Sequence, residues 1–374
     1  MPEALPYAPT TPATRSALPS VPGVLTTSDV LATGRSIAAR QQPDGAIGWP
    51  DGHTDAWNHT ECAMALSVVG LSGPARRAYE WLRRSQRTDG SWPKRTEPGG
   101  EVSDASTDSN QAAYVAVGVW HEYLLTGDMA FVRAMWPAVV QALGFVLDLQ
   151  APRGEVLWER HAGGQAGGYA LLTGCSSIYQ SLRCGGWLAD LVGEPQPDWE
   201  LAADQLGHVV ACHPEAFADK SQFSMDWYYP VLAGPLRGPR ALDRLADGWP
   251  EFVVDGLGVR CILPEPWVTG AETCELVMAL DAVGERSRAV ELFTKVQHLR
   301  DTDGAYWTGW QYVNKAHFPA ERSTWTAAAV ILAADALSQA TGAAALFRDV
   351  GAAPQPQPAP DPDACGCQDV DVRS

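Results

Sequence analysis

Positive charge is scarce in this 374-residue chain: 27 Lys and Arg stand against 44 Asp and Glu, a formal net charge of -17 at pH 7. A surface this acidic repels phosphate backbones and anionic lipid, so nucleic acid is not an expected partner. No continuous apolar run reaches the length a bilayer span needs, and no membrane span is expected. The N-terminus, MPEALPYAPTTPATRSALPSVPG, has no basic segment leading into an apolar one. A secretory signature is therefore missing, and a cytoplasmic location is the expectation. Residues 1–27 read as a disordered leader and residues 349–374 as a disordered Pro-rich tail.

Other absences narrow the chemistry. The eight cysteines carry no export context, so they read as reduced thiols, six of them among apolar neighbours. Cys365 and Cys367 in the tail are two ligands without partners, which does not make a metal site. No metal and no cofactor is expected. The run GGQAGG at 163–168 lacks the strand before it and the helix after it that a phosphate-cradling loop requires. Strand signals are few.

What the chain does have is helical periodicity, punctuated by Gly, Pro and Ser/Thr/Asp. The pattern predicts about twelve helices, at roughly 28–41, 54–70, 74–87, 106–126, 128–149, 172–193, 196–213, 221–235, 237–248, 268–284, 286–299 and 322–341. An internal repeat ties them together. Glu61 to Trp92 and Glu275 to Trp307 both run Glu, Met-Ala-Leu, a Gly stop, a second helix, then Asp-Gly and Trp. The unit is a helical hairpin. Asp-Gly suits a tight turn with positive φ, so SQRTDGSW reads as a structural staple between hairpins. Before every second helix stands a polar, mostly aromatic segment, at 54–61, 103–111, 173–180, 220–230, 266–275 and 321–326. Six hairpins closed into a ring would line the inside with the even helices and gather these segments at one mouth. The expected fold is all-α, an (α/α)6 toroid over residues 28–348.

The turns QRTDGSW and DGAYW resemble the turn motif of the prenyltransferase and squalene-cyclase repeat. The run STDSNQAAYVAVGVWHEYLLTGDMAFVRAMWPAVVQAL resembles the six-hairpin glycosidases. The whole chain, over about 28–348, is similar to actinobacterial proteins labelled prenyltransferase. Both superfamilies imply an α/α toroid, but they imply different functions. Prenyl chemistry needs clustered carboxylates such as DDxxD to hold Mg²⁺ at a diphosphate, and protonation-type cyclases share a DxDD motif. Neither stands here; DVDV at Asp369 to Val372 lies in the tail and lacks the final pair.

Sugar chemistry asks for two carboxylates across a cleft and aromatic platforms, with no contiguous motif. The mouth segments supply both. Asp226, set among apolar residues in SMDWYYP, and Glu272 are the expected acid/base pair. Asp55 and Asp108 are expected to position hydroxyls, although each also stands where a helix N-cap would. Trp57, Trp227, Trp267 and Trp325 are the expected stacking platforms, and His59 the expected orienting imidazole. Glu61 and Glu275 match in the repeat, which favours a repeated structural role. Three function classes follow: a carbohydrate-active enzyme acting on a sugar or glycoconjugate, a prenyltransferase or terpene-cyclase-like enzyme, and a non-catalytic binding toroid. The sequence leaves the oligomeric state open.

Overall fold

The computed structural model describes residues 17–349. They form the helices α1 (Thr27–Ala38), α2 (Ala56–Val68), α3 (Ser72–Ser85), α4 (Ser109–Ala113), α5 (Val115–Thr126), α6 (Met129–Leu147), α7 (Leu172–Val192), α8 (Pro197–Cys212), α9 (Ser224–Leu232), α10 (Gly238–Phe252), α11 (Gly270–Ala282), α12 (Arg286–Val296), α13 (Thr324–Ser338) and α14 (Leu346–Asp349). α4 and α5 are one predicted helix, interrupted at Tyr114.

Two helix populations differ in composition as the ring requires. α2, α5, α11 and α13 are buried on nearly every side and carry small apolar residues all round. α3, α10 and α12 bury one stripe and show charge on the other face. A helix that is apolar all round must be enclosed, and an amphipathic one must face water. The inner helices touch in the order α2, α5, α7, α9, α11, α13 and back to α2, which closes the ring. α1 packs on α13 and completes the outer layer.

Loop lengths give the ring two unlike ends. Each inner helix before α13 leads to an outer helix through a short turn, as with Gly127 and Gly193 in the left-handed conformation after α5 and α7. Each outer helix returns to the next inner helix through a longer segment, so the long segments gather at the inner N-termini. That end is the mouth. Five short strands build an antiparallel meander there (Val253–Val254, Gly258–Arg260, Trp267–Thr269, Gly309–Gln311, Ala316–His317). The weak strand signal had hidden this sheet, because strands of two or three residues carry no readable alternation.

The recurring turn is a stitch between neighbouring outer helices. Gln86 Nε2 donates to Gly90 O of its own turn and to Ala138 O of α6, both at 2.9 Å. Gln41 repeats this with Gly45 O and Pro74 O, and Gln150 with Gly154 O and Ala202 O. Gly90 has φ 88°, and a Cβ there would stand 2.0 Å from Gln141 O. Only glycine lets the turn approach the next helix this closely. The turn after α12 carries Arg300 in place of Gln; its Gly304 abuts Ala32 of α1, and Arg300 pairs with Asp29 at 2.9 Å. Four seams of the outer wall are closed in this way. The segment after α8 lacks the motif. Asp255-Gly256 after α10 keeps the turn, but has no glutamine and nothing against the glycine.

Order begins before the expected leader boundary: Val21 and Leu25 are buried and bridge each other ahead of α1. Residues 1–16 and 350–374, with the Cys365/Cys367 pair and the rest of the expected leader and tail, lie outside the described residues. α6 is long and apolar enough to cross a bilayer by length and composition. It packs against α4, α5 and α7 as part of the outer layer.

Candidate active site

The first turns of the inner helices surround a cavity of about 210 Å³ at the mouth. Its wall follows a rule of position. Trp57, Asn110, Met225 and Trp325 are each the second residue of their inner helix, and all four line it. The third residues Asn58 and Gln111 join them, with Asp55, Asp108 and Trp49. Side chains of a first turn lean toward the helix N-terminus, which brings these residues of α2, α4, α9 and α13 to the mouth.

Two aspartates are built alike. Asp55 caps α2: Oδ1 accepts Asn58 N–H at 2.9 Å, and Oδ2 accepts Trp49 Nε1 and Asn58 Nδ2, both at 2.6 Å. Asp108 caps α4: Oδ1 accepts the N–H groups of Asn110 and Gln111, and Oδ2 accepts Trp158 Nε1 at 2.5 Å. Burial pushes the Asp108 carboxyl up to about 6. The same two side chains thus cap their helices, as predicted, and line the cavity.

An aromatic corner closes one side. Trp325 meets Trp49 at 5.9 Å and Trp57 at 5.8 Å between ring centroids. Around it, Trp57 Nε1, Asn58 Oδ1, Asn110 Oδ1 and Gln111 Oε1 are buried without a partner inside the protein. Buried polar groups are rarely left so, and four beside one cavity mark places where a ligand's hydroxyls would bond. Glu272, the third residue of α11, does not line this cavity; it is 4% exposed, and its Oε2 has no protein partner. Asp55 and Glu272 belong to the inner helices on either side of α13, which carries Trp325.

Beneath the mouth lies a second acid group. Trp57 meets Tyr114 at 5.0 Å, and Tyr114 O–H donates to Glu61 at 3.1 Å. Tyr228 and Tyr229 both donate to Glu275. Burial pushes Glu61 up to about 8, with the charge of Asp55 adding to the effect, and pushes Glu275 well above the carboxylate range, with the charge of Glu61 adding to it. The repeated glutamates therefore meet in the lumen.

Several expected site residues stand elsewhere. His59 is fully buried: Nδ1 accepts Ile47 N–H, and Nε2 donates to Ala78 O. Burial lowers it to about 4, so it is a neutral tie between the first turn and α3 and cannot orient a ligand. Trp227 stacks on Phe252 and donates to Arg244 O. Trp267 lies on the meander edge-on to Phe318. Neither lines the mouth cavity. Asp226 turns outward, takes the Thr173 hydroxyl at 2.5 Å and lines a separate cavity of about 750 Å³ on the ring's flank. Asn58, Asn110, Gln111, Met225 and Trp49 were missed; helix position was the signal for the first four, and the Trp that follows the Asp-Gly turn was the signal for Trp49. Among the described residues no group of three or more His, Cys, Asp or Glu side chains is arranged to hold a metal ion.

No protein-family model matches the chain. It is 55% identical over 335 residues to the MMP endo-(1,4)-3-O-methyl-α-D-mannosidase of Mycolicibacterium hassiacum, covering 89% of this chain and 93% of that one. Over 175 residues it is 25% identical to an uncharacterized glycosyl hydrolase of Methanocaldococcus jannaschii, spanning 28% of that protein. Among solved structures, a glycosidase variant in complex with glucose superposes with a TM-score of 0.63 at 17% identity, covering 82% of this chain and 96% of that one. A D-mannose isomerase does so with a TM-score of 0.64 at 12% identity, covering 84% and 98%. These two likenesses carry the fold, an (α/α)6 toroid.

Proposed function

The chain belongs to the family of the Mycolicibacterium hassiacum endo-mannosidase, and from that premise we propose that it cleaves internal (1,4) links of a 3-O-methylated α-mannose chain at the mouth cavity. It is a carbohydrate-active enzyme of the six-hairpin glycosidase type. The prenyl and terpene readings draw no support from its relatives. The observation that carries the reading is the row of unpartnered polar atoms beside an indole corner, open to a cavity.

Hydrolysis needs one carboxylic acid to protonate the leaving oxygen and one carboxylate to activate water or attack the anomeric carbon. Glu272 is assigned the acid's part, on the strength of a buried Oε2 without a protein partner. Asp55 serves as the second carboxylate: Oδ1 accepts one N–H donor and Oδ2 two, which leaves a lone pair on Oδ1 for water or the anomeric carbon. In this assignment Asp55 takes the part the sequence had given to Asp226. Asp108, Asn110 and Gln111 hold sugar hydroxyls, and Trp57 and Trp325 carry ring faces. A cavity of about 210 Å³ is smaller than the roughly 300–1,000 Å³ of enclosing ligand sites, which suits an enzyme that grips part of a longer chain.

The test is product analysis by mass spectrometry on a defined 3-O-methylated α-(1,4)-mannose oligosaccharide. Internal cuts are expected. Release of single terminal residues, or cleavage of unmethylated glucans alone, would overturn the substrate assignment.

A further inference from the structure

The outer wall is stitched at four seams and open beside α10. A cavity of about 750 Å³ lies in one of those unstitched seams, between residues 214–221 after α8 and the flank of α10. No Gln or Asp-Gly turn reaches across it. α10 is held instead by arginines: Arg240 donates to Ala211 O, and Arg244 donates to Asp226 O and Trp227 O, both at 2.7 Å. These bonds keep α10 near α9 without filling the space between.

The lining is mixed. Leu172, Phe217, Leu236 and Trp227 give apolar surface, and Asp226 stands among them as a buried carboxylate. Burial raises its carboxyl above the ordinary value and lowers the guanidinium of Arg244 beside it. Asp243 and Asp247 stand on the exposed face of α10. Acids outnumber bases around the cavity, which disfavours phosphates and other anions. Carboxylates and guanidinium groups over an apolar floor suit an uncharged ligand with hydroxyls on one face and carbon on the other. The seam also adjoins the mouth. Met225 lines the mouth cavity, and its neighbours Asp226 and Trp227 line the seam.

We propose that the α8/α10 seam is a second glycan-binding site, holding the portion of the sugar chain that extends beyond the segment seated in the mouth. This rests on the glycosidase reading of the mouth. Asp226 is then a binding residue at a distance from the cleaved bond. That accounts for a buried carboxylate on the third position of an inner helix that faces away from the mouth.

The experiment is calorimetric titration of the full-length Glu272→Gln protein with 3-O-methylated α-(1,4)-mannose oligosaccharides of increasing length. Affinity should rise about tenfold or more once the chain reaches the seam, as expected when a second contact becomes intramolecular. Adding Asp226→Asn should abolish that gain and leave the affinity for the shortest ligand in place. Asp247→Ala, on the exposed face of α10, should reduce the gain without risk to folding. A length gain that survives both variants overturns the proposal. So does loss of short-ligand affinity in Asp226→Asn, which would return Asp226 to the mouth. If no oligosaccharide of any length binds, the reading of the mouth falls, and the seam site with it.

Discussion

Two layers of carboxylates share the same inner helices and behave differently. Asp55 and Glu61 belong to α2, and Glu272 and Glu275 to α11. The rim pair stands at the helix N-termini; Asp55 lines the mouth cavity, and Glu272 has one oxygen without a protein partner. The lumen pair lies one turn further along, where tyrosine hydroxyls donate to Glu61 Oε1 and to both oxygens of Glu275, and Glu61 Oε2 has no protein partner. In the proposed reading the lumen carboxylates hold a proton, and the rim carboxylates trade one with the substrate. Residue type does not separate these roles. Depth along the helix does, because it decides whether water and ligand can arrive.

The comparison is broken most sharply at the rim. Glu272→Gln and Asp55→Asn should each lower kcat by about 10²–10⁴-fold, the usual contribution of an acid or base. Their melting temperatures should stay near that of the parent protein, and full activity in either variant removes that residue from the mechanism. In the lumen the sign reverses. Tyr228→Phe takes a donor from the buried Glu275 and should cost about 1–3 kcal/mol of stability, read by denaturant unfolding. Its effect on kcat should be far smaller than that of the rim variants.

A third test uses pH. Glu61 is raised to about 8 from an ordinary 4.5, so the folded chain keeps a proton that the unfolded chain has lost. Its contribution to stability is fully present below about 4.5 and is lost as pH rises toward 8. Glu61→Gln cannot ionise, so between pH 5 and pH 8 its melting temperature should fall less than that of the parent. An equal fall in both would show that Glu61 does not hold the proton. The smallest effect is expected at Asp108, raised to about 6. As an acceptor for a sugar hydroxyl it acts when ionised, so KM should rise as pH drops below about 6. Asp108→Asn should remove that limb, and a KM profile unchanged by the substitution would count against the role.

Much of the fold was legible. All twelve predicted helices are present near their predicted positions, because a 3.6-residue apolar period between Gly and Pro stops is a local property of the chain. The Asp-Gly turn was legible as a staple, though not its reach: Gln86 bonds Ala138, fifty-two residues away, and only the assembled wall puts that carbonyl within range. The site was half legible. Asp55, Asp108, Trp57 and Trp325 do meet at the mouth, since all four belong to segments that begin inner helices. His59 belongs to such a segment too, and it turned inward to bond Ala78 O of α3. Trp227 and Trp267 found other rings to pack against.

By itself the sequence determined the helix count, the alternation of enclosed and amphipathic helices, and the end of the ring at which polar and aromatic residues collect. Those depend on periodicity, composition and capping, which act over a few residues. The tertiary structure alone decided which way each side chain in a first turn points. Asp226 and Glu272 occupy the same position in their helices. One turns to Thr173 and the unstitched flank, and the other is buried with an oxygen unpartnered. A side chain's direction there is set by neighbours from other hairpins, and the sequence does not place those neighbours until the ring closes.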